Sequence, residues 1–120
     1  MKHIPSTQTD FVTEREFDAA PEAVFHAWAD PQAKRCWSDC HAEYTTEYRL
    51  DFRPFGHETH QVAYPDGRIQ QIEKVFFDIE PARRIVFAYD IRLDARRLSV
   101  SVVAVELFAH KRGTRMVYNE

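Results

Sequence analysis

The residues able to do chemistry are few and scattered. Cys36 and Cys40 stand four apart, His41 follows, and His57 and His60 come later. Thiolates and imidazoles are the ligands that zinc takes. Both thiols would share a side only if one helix ran through them, and a strand would send His57 and His60 to opposite faces. The spacing matches no established zinc pattern. Two reduced cysteines and surface histidines are the simpler account, and no cofactor is expected. Glu58, His60, Tyr64 and Tyr89 could move protons in a cavity. Such catalysis needs a positioned pair, and no pair stands out by its spacing. The chain has neither a Ser-His-Asp signature nor a Gly-rich phosphate loop. No residue is assigned a catalytic role.

Rings are the more abundant candidates. Trp28, Trp37, Tyr44, Tyr48, Phe52, Tyr64, Phe76, Phe87 and Tyr89 belong to an aromatic fraction of 13%. Core packing accounts for about half of them or more. The remainder would line a pocket for a small hydrophobic or aromatic ligand, with His60 and tyrosine hydroxyls fixing its orientation.

These side chains need elements to position them. Phe11 to Asp18 alternates weakly and reads as a strand, with Phe11, Thr13, Arg15 and Phe17 on one side. Pro21 and Glu22 suit the first turn of a helix, and Ala20, Val24, Ala27 and Trp28 fall at helical spacing. Asp30-Pro31 opens a second short helix through about Trp37. Strands follow from Glu43 to Arg53, His57 to Tyr64, Ile69 to Ile79, Arg84 to Leu93, Leu98 to His110 and Arg115 to Tyr118. The turns between them are Pro54-Phe55-Gly56, Pro65-Asp66-Gly67, Glu80-Pro81-Ala82, Asp94 to Arg97 and Lys111 to Thr114. Consecutive hairpins make the sheet antiparallel. Tyr44, Tyr48 and Phe52 are assigned to its concave face, because Glu43, Glu47, Arg49, Asp51 and Arg53 occupy the other. That assignment turns Arg49 away from the pocket. Two short helices cannot cover the whole apolar face of such a sheet.

At 120 residues, 44% hydrophobic and 29% charged, the chain fits one domain over residues 1–120, with residues 1–9 loose. A net charge of −3 argues against a nucleic-acid partner. No stretch is long and apolar enough for a membrane span, and MKHIPSTQTD has no export-signal core. With two cysteines the expected setting is the reducing cytoplasm. Residues 83–97 carry five Arg against two Asp, and residues 1–30 two basic against six acidic residues. That asymmetry could dock an acidic partner. Charges that discourage pairing at sheet edges are the plainer explanation.

The order of motifs resembles the START-like superfamily, also called SRPBCC or Bet v-like. Within it the chain resembles the activators of the heat-shock chaperone ATPase and their bacterial homologues. The resemblance rests on FVTEREFDAAPEAVFHAWADP from Phe11 to Pro31, and on Arg35-Cys36-Trp37 where the family often has a tryptophan pair. Asp51-Phe52-Arg53-Pro54-Phe55-Gly56 resembles an Asp-x-Arg-Pro-Gly-Gly turn, with Phe55 in place of the first glycine. Pro65-Asp66-Gly67, EKVFFDIEPARRIVF from Glu73 to Phe87, and Gly113-Thr114-Arg115 complete it. It implies an α+β helix-grip fold: a curved antiparallel sheet of about six to seven strands with two short helices after the first. The family's long C-terminal helix has no counterpart in this sequence, so a homodimer, a further tail or a ligand is expected to provide cover.

The resemblance implies non-catalytic binding of a small hydrophobic ligand in the cavity between sheet and helix. Two alternatives stay open. One is modulation of a chaperone ATPase, although the separate N-terminal domain of the eukaryotic activators is missing. The other is a cyclase- or hydratase-like enzyme, since members of the superfamily use groups such as His60 and Tyr64.

Overall fold

The computed structural model describes residues 9–38 and 42–120, with the side chains of residues 35–38 and 42 outside that description. The order is β1 (Val12–Phe17), α1 (Pro21–Ala29), α2 (Pro31–Ser38), a 3-10 turn (Ala42–Tyr44), β2 (Thr45–Leu50), β3 (His57–Ala63), β4 (Ile69–Glu80), β5 (Arg84–Leu93), β6 (Arg96–His110) and β7 (Gly113–Asn119). All pairings are antiparallel, in the spatial order β1-β7-β6-β5-β4-β3-β2. This is the curved α+β helix-grip sheet, with both helices between β1 and β2.

The chain leaves β1 at one edge of the sheet and rejoins it as β2 at the other. The two helices therefore cross the concave face. Pro21 starts α1 where its missing N–H is harmless, and Asp30 ends it. The same Asp30 then accepts the backbone N–H of Gln32 at 3.0 Å and caps α2. Among the described residues no helix is long and apolar enough to cross a membrane.

The core lies between α1 and the sheet. Val24 and Trp28 pack on Phe76, Ile85, Phe87, Val103, Val105, Leu107 and Met116. Period-2 alternation puts Val103, Val105 and Leu107 inside and leaves Val100 and Val102 exposed on the outer face. On the same face as Val103, β6 also carries Ser99 and Ser101, which need less apolar cover than valines would.

Several boundaries differ from the sequence expectation. The strand expected from Glu43 begins at Thr45, because residues 42–44 wind into a 3-10 turn and β2 carries a bulge between Thr45 and Glu47. The turn expected over Asp94 to Arg97 is only Asp94-Ala95. Both adopt left-handed φ, 52° and 66°, as a two-residue hairpin demands, so β6 starts at Arg96 rather than Leu98. The last strand likewise opens at Gly113, whose site against the Phe17 carbonyl leaves no room for a Cβ. Phe55 has φ 63°, the left-handed conformation for which glycine is the natural residue.

Candidate functional site

Three elements bring charge together under α2. Glu58 on β3 lies directly across from Lys74 on β4, and Tyr48 on β2 from His60. Alternation sends Glu58, His60, Ile72 and Lys74 to the face the helices cover. Lys34 reaches the same place from α2. Its side chain is only 2% exposed and that of Glu58 7%.

Glu58 holds the group together. Its Oε1 accepts from Lys34 Nζ at 3.0 Å and from Lys74 Nζ at 2.9 Å, and its Oε2 accepts the Tyr48 hydroxyl at 2.5 Å. Both ammoniums also meet aromatic faces, Lys34 over Trp28 at 4.9 Å and Lys74 over Phe87 at 4.3 Å. His60 Nε2 lies 3.0 Å from Thr45 Oγ1, and its ring meets Tyr48 edge-on at 5.7 Å.

Burial pushes the Glu58 carboxyl upward, but the Lys74 and Lys34 ammoniums and the Tyr48 hydroxyl outweigh it and hold it at about 2. Lys34 is pulled down to about 8, first by burial and then by repulsion from Lys74, against the attraction of Glu58. A carboxylate held so firmly ionised is a poor proton acceptor near neutral pH. It suits electrostatic binding better.

A cavity of about 130 Å³ opens beside this group, lined by Lys34, Tyr48, Glu58, His60, Ile72 and Lys74. A cavity of roughly 150 Å³ can hold a benzene-sized molecule. The space therefore accommodates one ring or a short chain.

The expected pocket residues divide into several groups. Tyr48 and His60 line this cavity. Trp28, Phe76 and Phe87 are buried in the core, and Phe52 packs on it, 5.0 Å from Phe76 and 5.6 Å from Phe25. Tyr44 and Tyr64 pair at 6.1 Å, and the Tyr64 hydroxyl donates to Gln70 at 2.6 Å. Tyr89 lies across from Lys74 and gives its hydroxyl to Glu120. Trp37 belongs to α2, but its side chain lies outside the described residues, as do that of Cys36 and the whole of Cys40 and His41. His57 and His60 stand on opposite faces of β3. Among the described residues no group of three or more His, Cys, Asp or Glu could hold a metal. Arg49 is exposed and turned away.

Sequence reasoning placed Glu58 near a cavity but missed Lys34 and Lys74. For Lys74 a signal existed. It interrupts Ile72 and Phe76 on one strand face, and a charge at an apolar position asks for a partner. Lys34 gave none, since α2 is too short for its faces to be read.

The profile of the family described as "Activator of Hsp90 ATPase homolog 1-like protein" matches residues 18–120. Among solved structures, the chain is similar to an uncharacterised protein from Rhizobium leguminosarum, with 40% identity and a TM-score of 0.87, covering 92% of this chain and 74% of that one. The Mll3558 protein from Rhizobium loti is 34% identical with a TM-score of 0.86, covering 92% and 76%. The SA2116 protein of unknown function from Staphylococcus aureus, at 20% identity and a TM-score of 0.77 over 92% and 67%, shares the fold. No curated protein matches the chain.

Proposed function

Because the chain belongs to the Activator of Hsp90 ATPase homolog 1-like family, a group with a ligand-binding or interaction fold, we propose that it binds a small hydrophobic ligand without transforming it. The binding place is the cavity between α2 and the concave face, in a single domain acting in the cytoplasm. The observation that carries this reading is the cavity itself. It is bounded by Ile72 and the rings of Tyr48 and His60, and charged groups stand ready at one side. Such a mix of apolar wall and a few fixed polar groups is how small-molecule sites are built.

Native mass spectrometry of the freshly purified protein, paired with its denatured mass, tests it. A native species heavier than one chain by a small, solvent-extractable mass is expected. A bare monomer that takes up no hydrophobic probe would count against it. A bare homodimer would instead favour cover of the sheet by a second copy.

The family's name motivates a second reading, modulation of a chaperone ATPase. It requires a change in that ATPase's turnover on adding this protein, and a turnover that stays constant would remove it. An enzyme reading has less support, since Glu58 is a weak base. It requires that His60→Ala abolish turnover of a substrate while the fold is retained.

A further inference from the structure

The cavity carries a charge asymmetry that a purely hydrophobic ligand would not need. Two ammoniums, Lys34 and Lys74, share one oxygen of one carboxylate. Burying an ammonium is costly, and a cation among rings and aliphatic carbons is retained only where something balances it. Lys74 is the more accessible of the two, its side chain 14% exposed against 2% for Lys34. An ammonium has three N–H donors, and the Glu58 oxygen accepts one from Lys74. The Phe87 ring and the strands fix the position of Lys74 before any ligand arrives. A negative group entering the cavity would meet a donor already oriented and already stripped of most of its water, which lowers the cost of association.

We propose that the cavity selects a hydrophobic ligand of one ring or a short chain that carries one anionic group, and that this group binds the Lys74 ammonium beside Glu58. The inference rests on the reading of the cavity as a binding site and adds the ligand's charge class. Ile72 and the rings of Tyr48 and His60 receive the apolar part, and the volume of about 130 Å³ sets its size. The protein's net charge of −3 disfavours anions in general, so a preference for them has to be local.

The test compares three probes of similar size and different charge: phenylacetate, 2-phenylethanol and 2-phenylethylamine. Each is titrated at fixed ionic strength into the full chain, with binding read from amide shifts in 1H–15N spectra. Phenylacetate is expected to bind about tenfold more tightly than the alcohol, and the amine most weakly. Lys74→Gln should bring acid and alcohol within about twofold of each other. Lys74→Met serves if that variant does not fold, and the comparison of probes on the unaltered chain stands without either. If the alcohol or the amine binds as tightly as the acid, the anionic preference is overturned while the binding site survives. If no probe moves the amides around Tyr48, Glu58 and Lys74, the binding site falls and this inference with it.

Discussion

Two neighbouring rows of side chains cross the same concave face and could hardly differ more. One runs Phe76, Phe87 and Val103. The next, two residues along each strand, runs Glu58, Lys74, Tyr89 and Ser101. The strands and register are the same. The first row is sealed under Trp28 of α1, with Phe76 and Val103 at 0% exposure. The second lies toward α2, and Lys34, Glu58 and Lys74 satisfy one another there instead of avoiding burial. Stability alone does not call for the second arrangement, because well-packed apolar residues usually do as well or better than a buried ion group. The difference separates a part of the face sealed as apolar core from a part that keeps charged groups beside a cavity.

Breaking the apolar row should have the largest effect. Phe76→Ala removes a ring that touches both Phe52 and Phe87. A loss of about 3–5 kcal/mol is expected by denaturant unfolding. Phenylacetate affinity at a temperature where the variant is folded should be unchanged. Breaking the charged row at its centre comes next. Glu58→Gln leaves two ammoniums close together without their carboxylate, and should cost about 3 kcal/mol. Lys34→Met should cost less, because Glu58 keeps Lys74 and Tyr48 and a buried cation is gone. Equal losses for Glu58→Gln and Lys34→Met would mean that Glu58 is not the hub.

The pH dependence sharpens the same contrast. Glu58 is held at about 2, below its ordinary value of 4.5. Its contribution is present above pH 4.5 and is lost as pH falls toward 2, a span of roughly 3 kcal/mol at most. Lys34, lowered from 10.5 to about 8, carries a penalty instead of a contribution, full below pH 8 and relieved above it, so stability again rises with pH. The unfolded chain holds that proton more tightly, so stability should rise as pH increases from 8 to 10.5. Unfolding free energies across both windows check this. Glu58→Gln should flatten the acid window, Lys34→Met the alkaline one, and Phe76→Ala neither. The smallest effect lies outside both rows. Ala95→Gly relieves a left-handed alanine in the β5–β6 turn and should gain up to about 1 kcal/mol in thermal or denaturant unfolding.

The fold was legible in the sequence because its signals are local. Asp30-Pro31 separates the helices, alternation marks the long strands, and tight turns imply antiparallel pairing. Failures came where backbone geometry overrides composition. Ala95 carries no mark of a left-handed turn, and the bulge in β2 cannot be read from residues 43–47. The candidate site was less legible. Aromatic abundance pointed at a ring-lined pocket, yet Trp28, Phe76 and Phe87 form the core, since rings fill space before they recognise anything. Tyr48 and His60 do reach the cavity. Lys34 joins it only through the crossing of α2 over β3, a contact 24 residues apart that no short-range pattern encodes.

The most direct test is to map which amides phenylacetate perturbs on the unaltered protein. A site in the charged row should move the amides of Tyr48, Glu58 to His60 and Ile72 to Lys74, and leave Val103 to Leu107 still. Shifts confined to the apolar row or to the outer face, or none at all, would contradict the division of the concave face into a row that folds and a row that binds.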